Sequence, residues 1–551
     1  MNPSINQLDS ILRLPESSSR PRSGLRLRRR SGSLLLIVLV TIVVLSLAAY
    51  TFTALMQTED EASRLMTLQM QTKYLVDSGM DYTRLYLSQS EATIREKGGR
   101  WDNTDVFQAI PVAVSATNPS RIGYFSIITS GMDQEGLPDG NRFGLIDESS
   151  KINLNTLLYA DAIAEINPLY AAGNGRDILM SLPEMTEEIA DSILDWLDTD
   201  DDVRDFGTES SYYTSEDPPY ACKNGPLDSL DELLLVRGVT PRMLFGLDLN
   251  RNGLIDNDEE AASDAANTDV DMHLGWSNYL TLYSKESNLT GEGLARININ
   301  GDDLEQLYDD LKSAFNDEWA NFIIYYRCAT TLPNENPPPE GSEIINAALV
   351  PVDFDNPNLT SKRKFETVID MCFVNIDMSE FDQENVGSYA ASPVQLIGMG
   401  FTVPTLMASL TTYEGNVIPG RVNLLQAPRR VLDCMPYLSE EQVDLIIQQR
   451  GDDQELDDPK GADLNRNFET WLMVEGIVSF AEMKLLMPFV CAGGDVYRAE
   501  IAGYFADGAG TSRAEVVLDT TEEIPRVLFW RDKSHLRKGF SVELMGTQLI
   551  Q

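Results

Sequence analysis

The sequence predicts an α+β protein in which an N-terminal transmembrane helix leads into a small antiparallel β-sheet that is interrupted by a large inserted α-helical domain. Three observations support this fold class. An uncharged apolar run occupies residues 33–55, strand-type segments stand before residue 155 and after residue 495, and helix-type segments fill much of the interval. Because strands stand at both ends of the chain, we expect the helical domain to interrupt one sheet.

The apolar run at residues 33–55 contains no charge and no proline. As a helix it would extend roughly 34 Å, enough to cross a bilayer core of about 30 Å. Four arginines lie within residues 26–30 and acidic residues follow within 57–61, which predicts a cytoplasmic N-terminus and places the bulk of the chain outside. A cleaved secretory signal and a buried core helix are the alternatives. The run exceeds the usual 7–15 apolar residues of a signal, no A-x-A site follows it, and it has no polar face.

Residues 1–32 are rich in Ser, Pro and Arg and have no periodicity, so they predict a disordered cytoplasmic leader. The basic cluster, Gly32 and the apolar helix from Ser33 resemble the class III leader that prepilin peptidase cleaves. This resemblance implies cleavage between Gly32 and Ser33, with the helix kept as the mature N-terminus. Ile37 then stands at mature position five, where most pilins and pseudopilins of this class carry glutamate.

Beyond the apolar run, residues 56–95 predict an extracytoplasmic continuation of the same helix. Apolar residues recur there at near-helical spacing between polar ones. One long helix, half in lipid and half outside, has the shape of a type IV pilin spine. A plain helical stalk below an ectodomain is the alternative interpretation.

The composition indicates a folded, strongly acidic protein. The 551 residues exceed one ordinary domain, and the net charge is −43, with +5 in residues 1–32 and therefore −48 in the remainder. Such a surface repels nucleic acid and anionic lipid and favours divalent cations. Five widely spaced cysteines leave the disulfide pairing open, and only two histidines argue against a His-ligated metal enzyme.

A family resemblance begins at Gly144–Leu157, where Asp147 and Glu148 precede Lys151-Ile152-Asn153-Leu154-Asn155. This order resembles the "DE, then K-x-N-x-N" signature of the general secretion pathway protein K family, the minor pseudopilins of type II secretion. The segment Leu182–Leu197, expected to be helical with Pro183 in its first turn and Thr186 as N-cap, continues the resemblance.

The match extends to about residue 246 through an acidic helix end, a Tyr-rich loop, a Pro-Pro-Tyr turn and the stretch Ser229–Thr240. This stretch also resembles a helix-hairpin-helix unit, which binds DNA phosphates with basic residues. Its neighbourhood here is acidic, so we expect no nucleic-acid binding. The K family is similar in having a pilin helix and sheet interrupted by an α domain, and in lacking the position-five glutamate.

Residues 248–259 (DLNRNGLIDNDE) match the twelve-residue EF-hand loop, with Gly253 at the sharp turn. We predict that this loop binds Ca²⁺, and a polar Asp/Asn turn is the alternative. The predicted ligands are Asp248, Asn250, Asn252, the carbonyl of Leu254, Asp256 and Glu259. The stretch 463–467 (DLNRN) repeats the first five positions, but Phe468 replaces the glycine, so a solvated loop is expected there.

The K-I-N-L-N pattern recurs at Arg296–Asn300 and at Gly420–Ala427, each time before a helical segment, which suggests a multi-unit α domain. The helical segments are expected at 304–326 and 439–450. Strands are expected to complete the sheet begun by 122–128 and 143–146, and they are placed at 497–505, 512–518 and 524–530.

The predicted division of the chain follows from these patterns. It consists of a cytoplasmic leader at 1–32, a transmembrane helix at 33–55, its continuation at 56–95, the first part of the β domain at 96–160, an inserted SAM-like or helix-hairpin-helix-like α domain at 161–330 with the EF-hand-like loop at 248–259, an insert of unclear structure at 331–420, a second α-helical segment at 421–490, and C-terminal strands at 491–551.

The sequence holds no recognisable catalytic motif, so we do not expect an enzyme. The resemblance implies a minor pseudopilin at the tip of the type II secretion pseudopilus, anchored in the bacterial inner membrane with its bulk in the periplasm. The implied partners are other minor pseudopilins, prepilin peptidase and the secreted cargo. The alternatives are a minor pilin of a type IV pilus and a membrane-anchored, calcium-dependent binding or adhesion module.

Overall fold

The computed structural model describes residues 32–113, 122–133, 138–255, 259, 274–330, 338–381, 387–450, 464–508, 510–536, 539–541 and 544–546. The chain divides into two compact units, Met1–Thr67 and Leu68–Gln551, with the boundary inside the first helix. Helices and strands are mixed and an apolar helix comes first, which confirms the predicted α+β class at this level.

The α-helices within the described residues are α1 Gly32–Leu87, α2 Glu91–Glu96, α3 Thr104–Phe107, α4 Leu157–Ile166, α5 Asn174–Met180, α6 Glu187–Leu197, α7 Ser210–Tyr213, α8 Pro241–Phe245, α9 Leu304–Ala314, α10 Asp317–Cys328, α11 Met399–Ser409, α12 Arg429–Asp433, α13 Glu440–Gln449, α14 Trp471–Val474 and α15 Phe480–Leu486. The strands are β1 Ile110–Ala113, β2 Gly123–Met132, β3 Pro138–Arg142, β4 Ile146–Asp147, β5 Ile152–Asn153, β6 Leu280–Thr281, β7 Lys285–Ser287, β8 Ile297–Asn298, β9 Glu343–Ile345, β10 Asn375–Asp377, β11 Ser388–Ala391, β12 Leu410–Thr411, β13 Val417–Pro419, β14 Val422–Asn423, β15 Val490–Cys491, β16 Val496–Phe505, β17 Thr511–Asp519 and β18 Arg526–Asp532.

In the first unit, helix α1 carries a segment long and apolar enough to cross a membrane. Its apolar side chains are exposed on all sides of the helix, as the 59% exposure of Ile37 illustrates. Its few hydroxyl groups bond to the helix itself, since Thr41 donates to the Val38 carbonyl at 2.8 Å and Thr53 to the Ala49 carbonyl at 2.8 Å. Polar groups that are hydrogen-bonded within the helix can lie in lipid without losing a partner.

In the second unit, the end of α1 lies against the sheet at very short range. A Cβ atom at Gly79 would lie 2.6 Å from a methyl group of Ile501, and one at Gly503 would lie 2.5 Å from the Thr72 carbonyl. The Thr72 and Ser512 hydroxyls share a 2.7 Å hydrogen bond in this interface. The helix ends at Leu87, before the predicted end of its continuation at residue 95. A separate helix, α2, follows, and Ser90 caps it by accepting a hydrogen bond from the Thr93 amide.

The main sheet is antiparallel and has seven strands, ordered β1-β2-β16-β17-β18, with β3 and β4 paired to β2 and β16. Strand β16 pairs with β2, so strands from near both ends of the chain form one sheet, as predicted. Two expected strands differ in extent. The segment predicted at 143–146 contributes only Ile146–Asp147, and the last strand starts at Arg526 because Pro525 has no N–H for pairing.

Two helix predictions also need correction. Helix α6 begins at Glu187, with Thr186 as the predicted N-cap, whereas Pro183 lies before the helix and its carbonyl accepts the Trp276 indole N–H at 2.9 Å. The segment expected to be helical at 304–326 is two helices, since Asn316 starts α10 by capping the Trp319 amide at 3.1 Å.

The three Asn-containing copies share one geometry. Asn153, Asn298 and Asn423 each accept a hydrogen bond from the amide two residues later, at 2.9–3.0 Å. Each lies in a two-residue strand with a parallel partner, in the pairs β5–β6, β8–β12 and β14–β15. The three copies therefore share a turn and a parallel strand pair, and the multi-unit α domain stays a prediction.

Two clusters of buried side chains form the core of the second unit. One runs from Ile152 to Ala492, and the other joins Val76 to Leu145 with Tyr497 to Met545. The first cluster includes residues from all three segments predicted between 161 and 490, and the boundaries at 330 and 420 stay predictions. All five cysteines lie in the described ranges as buried free thiols.

Candidate metal centre

Four of the predicted calcium-ligating side chains meet in the loop that follows α8. Asp248, Asn250, Asn252 and Glu259 are each at most 5% exposed. The Leu254 amide is close by, donating to the Asn252 side-chain oxygen at 2.9 Å. Asp256 lies outside the described residues. The structure therefore brings together every predicted ligand residue that it describes.

The loop turns around the Asp248 carboxylate. Its two oxygens accept the amides of Asn252 at 3.1 Å and Gly253 at 2.7 Å. Glu259 closes the loop by accepting the Asn250 amide at 3.0 Å. Gly253 has a φ of +79°, where a side chain would be strained. This backbone is what the EF-hand spacing requires, with carboxylates from the first and twelfth positions brought to one place.

The electrostatics of the loop favour a cation. Burial raises the pKa of Asp248 to about 6, and the negative charge of Glu259 adds to the increase. Two buried carboxylates repel one another unless a positive charge lies between them. Buried oxygen donors of this kind suit Ca²⁺, so the residues fit the ion predicted from the sequence.

The shortened copy at 463–467 differs from the expected solvated loop. Residue 463 lies outside the described residues, and Leu464–Asn467 forms one turn of 3₁₀-helix. Arg466 is held by Glu475 at 3.1 Å and by the Gln449 carbonyl at 2.7 Å. Phe468 stands in place of the glycine directly after this turn.

A second acidic cluster was missed by the sequence reasoning. Asp195 and Asp198 at the end of α6 and Glu209 before α7 have carboxylate oxygens within 4.8 Å of one another. Neither oxygen of Glu209, which is 2% exposed, accepts a hydrogen bond from an N–H or O–H group in the described part of the chain. Arg204 bonds to both aspartates.

The charge balance of this cluster also favours a cation. Burial raises the pKa of Glu209 to about 7, and the charges of Asp195 and Asp198 add to it. Three carboxylates share one arginine, so one or two negative charges are left over. The D-x-x-D spacing at the end of a helix was visible in the sequence, but the loop that returns Glu209 to it was not.

The Asp147-Glu148 signature lies where the insert joins the sheet. Glu148 is fully buried and accepts two bonds from Arg498 of β16, at 2.6 and 3.0 Å. Asp147 accepts the Asn423 side-chain amide at 2.8 Å and the Gly494 amide at 2.8 Å. The two adjacent carboxylates of the signature thus connect Asn423 of β14 with Arg498 of β16.

The remaining predicted sites are located as follows. Gly32 is the first residue of α1 and Ser33 the second, while the leader lies outside the described residues, so cleavage stays a prediction. The hairpin at Gly238 joins a 3₁₀-helix to α8. The basic residue Lys223 is bonded to the carboxylates of Asp228 and Glu232, at 2.7 and 2.8 Å. The expectation that this hairpin binds no nucleic acid stays a prediction.

Comparison with known proteins finds a family match for the segment that begins just after the Asp147-Glu148 signature. Residues 150–248 match the family model described as type II secretion system protein K. Over these residues, the chain is similar to the type II secretion system protein K family. The putative type II secretion system protein K of Escherichia coli strain K12 is 33% identical over 109 residues, which are 19% of this chain and 33% of that protein.

The matched part of this chain thus spans a third of its E. coli relative. A crystal structure of the GspK-GspI-GspJ complex from enterotoxigenic E. coli aligns with 86% of this chain and 98% of that chain, at 10% identity and a TM-score of 0.32. That similarity is too low to support an argument. The sequence signature of residues 144–246 is confirmed by the family match, which covers nearly the same residues.

Proposed function

We propose that this chain is a minor pseudopilin at the tip of the type II secretion pseudopilus, where it initiates or caps assembly and aids export of folded proteins across the outer membrane. The family match of residues 150–248 carries the proposal. The role is structural, not enzymatic. Helix α1 anchors the chain in the inner membrane with its N-terminus in the cytoplasm, and the acidic second unit lies in the periplasm.

The proposed tip position follows from Ile37. A charged N-terminal amine in lipid is costly unless a carboxylate pairs with it. Ile37 provides no such carboxylate to a neighbouring copy, so self-assembly gains nothing from this position. The inserted domain, expected to be SAM-like or helix-hairpin-helix-like, adds bulk that would block a further subunit above it.

The proposed partners are other minor pseudopilins, with secreted cargo as a further partner. The test is to co-express the full-length chain with neighbouring minor pseudopilins and measure the mass of the purified complex. We expect a hetero-complex and no homopolymer. A homopolymer, or failure to bind any neighbour while Ile37→Glu changes nothing, would count against the tip role.

Processing by prepilin peptidase is the second part of the proposal. Mass spectrometry of the membrane-extracted chain should find a mature protein that begins at Ser33. Gly32→Leu should leave the leader attached, while the control Gly24→Leu should not affect cleavage. A wild-type chain that begins at Met1, or beyond Leu55, would contradict the pseudopilin assignment.

Calcium binding is the third part of the proposal. Ca²⁺ would be held by the loop 248–259, and the cluster of Asp195, Asp198 and Glu209 offers a second cation site. A ligand that binds only the folded chain stabilises it by about 2.7 kcal/mol at 100 times its dissociation constant. Calcium should therefore raise the unfolding temperature. Glu259→Ala should remove most of the part of this rise that comes from calcium bound at the loop 248–259. The exposed control Glu523→Ala should leave the rise unchanged.

Two alternatives remain as outcomes of these tests. A minor pilin of a type IV pilus would be processed in the same way but would assemble with pilus subunits. A membrane-anchored, calcium-dependent binding module would bind calcium without cleavage at Gly32. The processing and co-expression experiments together separate these alternatives from the pseudopilin.

A further inference from the structure

The calcium loop is attached to the end of the sheet by two buried cations. Arg513 of β17 is 2% exposed and donates to the carbonyls of Asn250 and, at 3.0 Å, Leu536. Lys533, 6% exposed and just after β18, donates to the Arg251 carbonyl at 2.8 Å. The residues of the loop and those of the sheet's end are about 280 positions apart in the sequence, so this contact is a tertiary one.

A third hydrogen bond reinforces the attachment. The Asn252 side-chain amide donates to the Gly539 carbonyl at 2.6 Å. A Cβ atom at Gly539 would lie 2.4 Å from a guanidinium nitrogen of Arg513, so this glycine leaves room for the arginine to reach the loop. Three polar contacts therefore connect the loop to β17 and to the segment that follows β18.

A cavity of about 120 Å³ lies between the loop and the sheet. Asp248 and Gly253 line it on the loop side, and Glu500, Glu515 and Lys533 line it on the sheet side. The hydrogen bonds of Arg513 and Lys533 to the loop therefore connect the two sides around this cavity.

The charges of the two cations are already balanced by the sheet. Arg513 pairs with Glu500 at 2.8 Å, and Lys533 lies 2.9 Å from Glu500 and 3.3 Å from Glu515. The positive charge of Lys533 also acts on Asp248, where it opposes the rise in pKa that burial causes. The two cations hold the backbone of the loop through the carbonyls of Asn250 and Arg251.

The segment held by these cations borders the pilin-type helix. The Arg513 amide donates to the Ser534 hydroxyl at 3.1 Å, and the Lys533 amide donates to the Arg513 carbonyl at 2.9 Å. Asp532, at the end of β18, forms an ion pair with Lys73 of α1 at 2.8 Å. A change in the loop therefore has a continuous route of contacts to the edge strand and to α1.

We propose that Arg513 and Lys533 are positioning residues of the calcium loop, through which calcium binding orders strand β18 and residues 533–536 beside helix α1. The inference rests on the calcium site of the proposed function. Because coupling between two sites is reciprocal, loosening the cations weakens calcium binding, and calcium binding slows opening of the edge strand. Only the calcium-loaded chain would then present a fully ordered edge next to α1.

The test combines hydrogen exchange with calorimetry on the full-length chain in lipid nanodiscs, with calcium chloride or with EGTA. In the wild type, calcium should slow exchange in the peptide 526–536 at least tenfold. Glu259→Gln should abolish that effect together with calorimetric binding at the loop. Arg513→Lys keeps the charge but loses the planar guanidinium, whose Nη2 donates to Asn250 and Leu536 while Nη1 pairs with Glu500. It should therefore weaken calcium binding at least fivefold and remove the slowing.

A second variant, Lys533→Met, tests the inference independently in case Arg513→Lys does not fold. Lys533→Met removes a positive charge, which by charge alone would tighten calcium binding, whereas loss of its bond to Arg251 would weaken it. We expect weaker binding and no slowing of exchange. The matched control is Arg526→Lys, at the first residue of β18. In the described contacts Arg526 pairs only with exposed Glu522, so this variant should behave as the wild type.

The outcomes separate the two claims. Equal calcium binding by the wild type and Glu259→Gln would overturn the calcium site and this inference with it. Binding at the loop without slower exchange at 526–536 would overturn only the inference. Wild-type binding and wild-type slowing in Arg513→Lys, or tighter binding in Lys533→Met, would also refute the positioning role.

Discussion

Replacement of Glu148 by glutamine should destabilise the joint between the insert and the sheet. Glu148 is fully buried and bonds to Arg498 at 2.6 and 3.0 Å, and it also accepts the Thr281 hydroxyl. Removal of one partner of a buried ion pair costs about 3–5 kcal/mol, because the other charge is left uncompensated. Arg498 keeps Glu515 as a second partner, so we expect about 3 kcal/mol.

Urea unfolding of the full-length chain, followed by tryptophan fluorescence at neutral pH, measures this loss. The control is Glu522→Gln, which breaks the exposed pair with Arg526 and should cost about 0–1 kcal/mol. The double variant Glu148→Gln/Arg498→Met should recover part of the loss, since no buried charge at these two positions then lacks its partner. A loss below about 1 kcal/mol for Glu148→Gln would refute the reasoning that the signature holds the two parts together.

Three further predictions concern pH, packing and the second acidic cluster. Burial alone would raise the pKa values of Glu148 and Glu515, but Arg498 lowers the pKa of Glu148, and Lys533 followed by Arg498 lowers that of Glu515, both below the ordinary 4.5. Their stabilisation is therefore complete above about pH 4.5 and is lost as the pH falls through the folded-state values, which acid unfolding of the wild type against Glu148→Gln would measure. Gly79→Val should lower the unfolding temperature, since its Cβ would lie 2.6 Å from Ile501, whereas the exposed control Asp81→Ala should not. Glu209→Gln should remove one calcium equivalent in calorimetry without affecting the loop 248–259, and unchanged stoichiometry would show that this cluster holds no ion.

The sequence predicted best those elements that depend on neighbours in the chain. Thr186 caps its helix as expected, because a cap needs only the amide three residues later. The strands that form β16 and β17 were found within a residue or two from their β-type residues and flanking turns. The backbone of residues 248–254 turns around the Asp248 carboxylate through contacts within six residues, and calcium binding there stays a prediction.

Features that depend on distant contacts could not be predicted. The break before α10 is decided by Asn316, a capping residue inside a segment with continuous helical character. The pairing of Glu148 with Arg498 spans 350 positions, and no pattern in either neighbourhood indicates it. Glu209 joins Asp195 and Asp198 through a loop whose path is set by tertiary contacts. Sequence spacing alone therefore missed the second acidic cluster.

The most direct test of the central claim is the export of a type II substrate by a strain that lacks this chain. Enzyme activity of that substrate, measured in the medium and in the periplasm, gives the secreted fraction. The account predicts that deletion traps the substrate in the periplasm and that the wild-type chain restores export, while Gly32→Leu does not. Normal export in the deletion strain, together with loss of surface pili, would contradict the pseudopilin role and favour a type IV pilus.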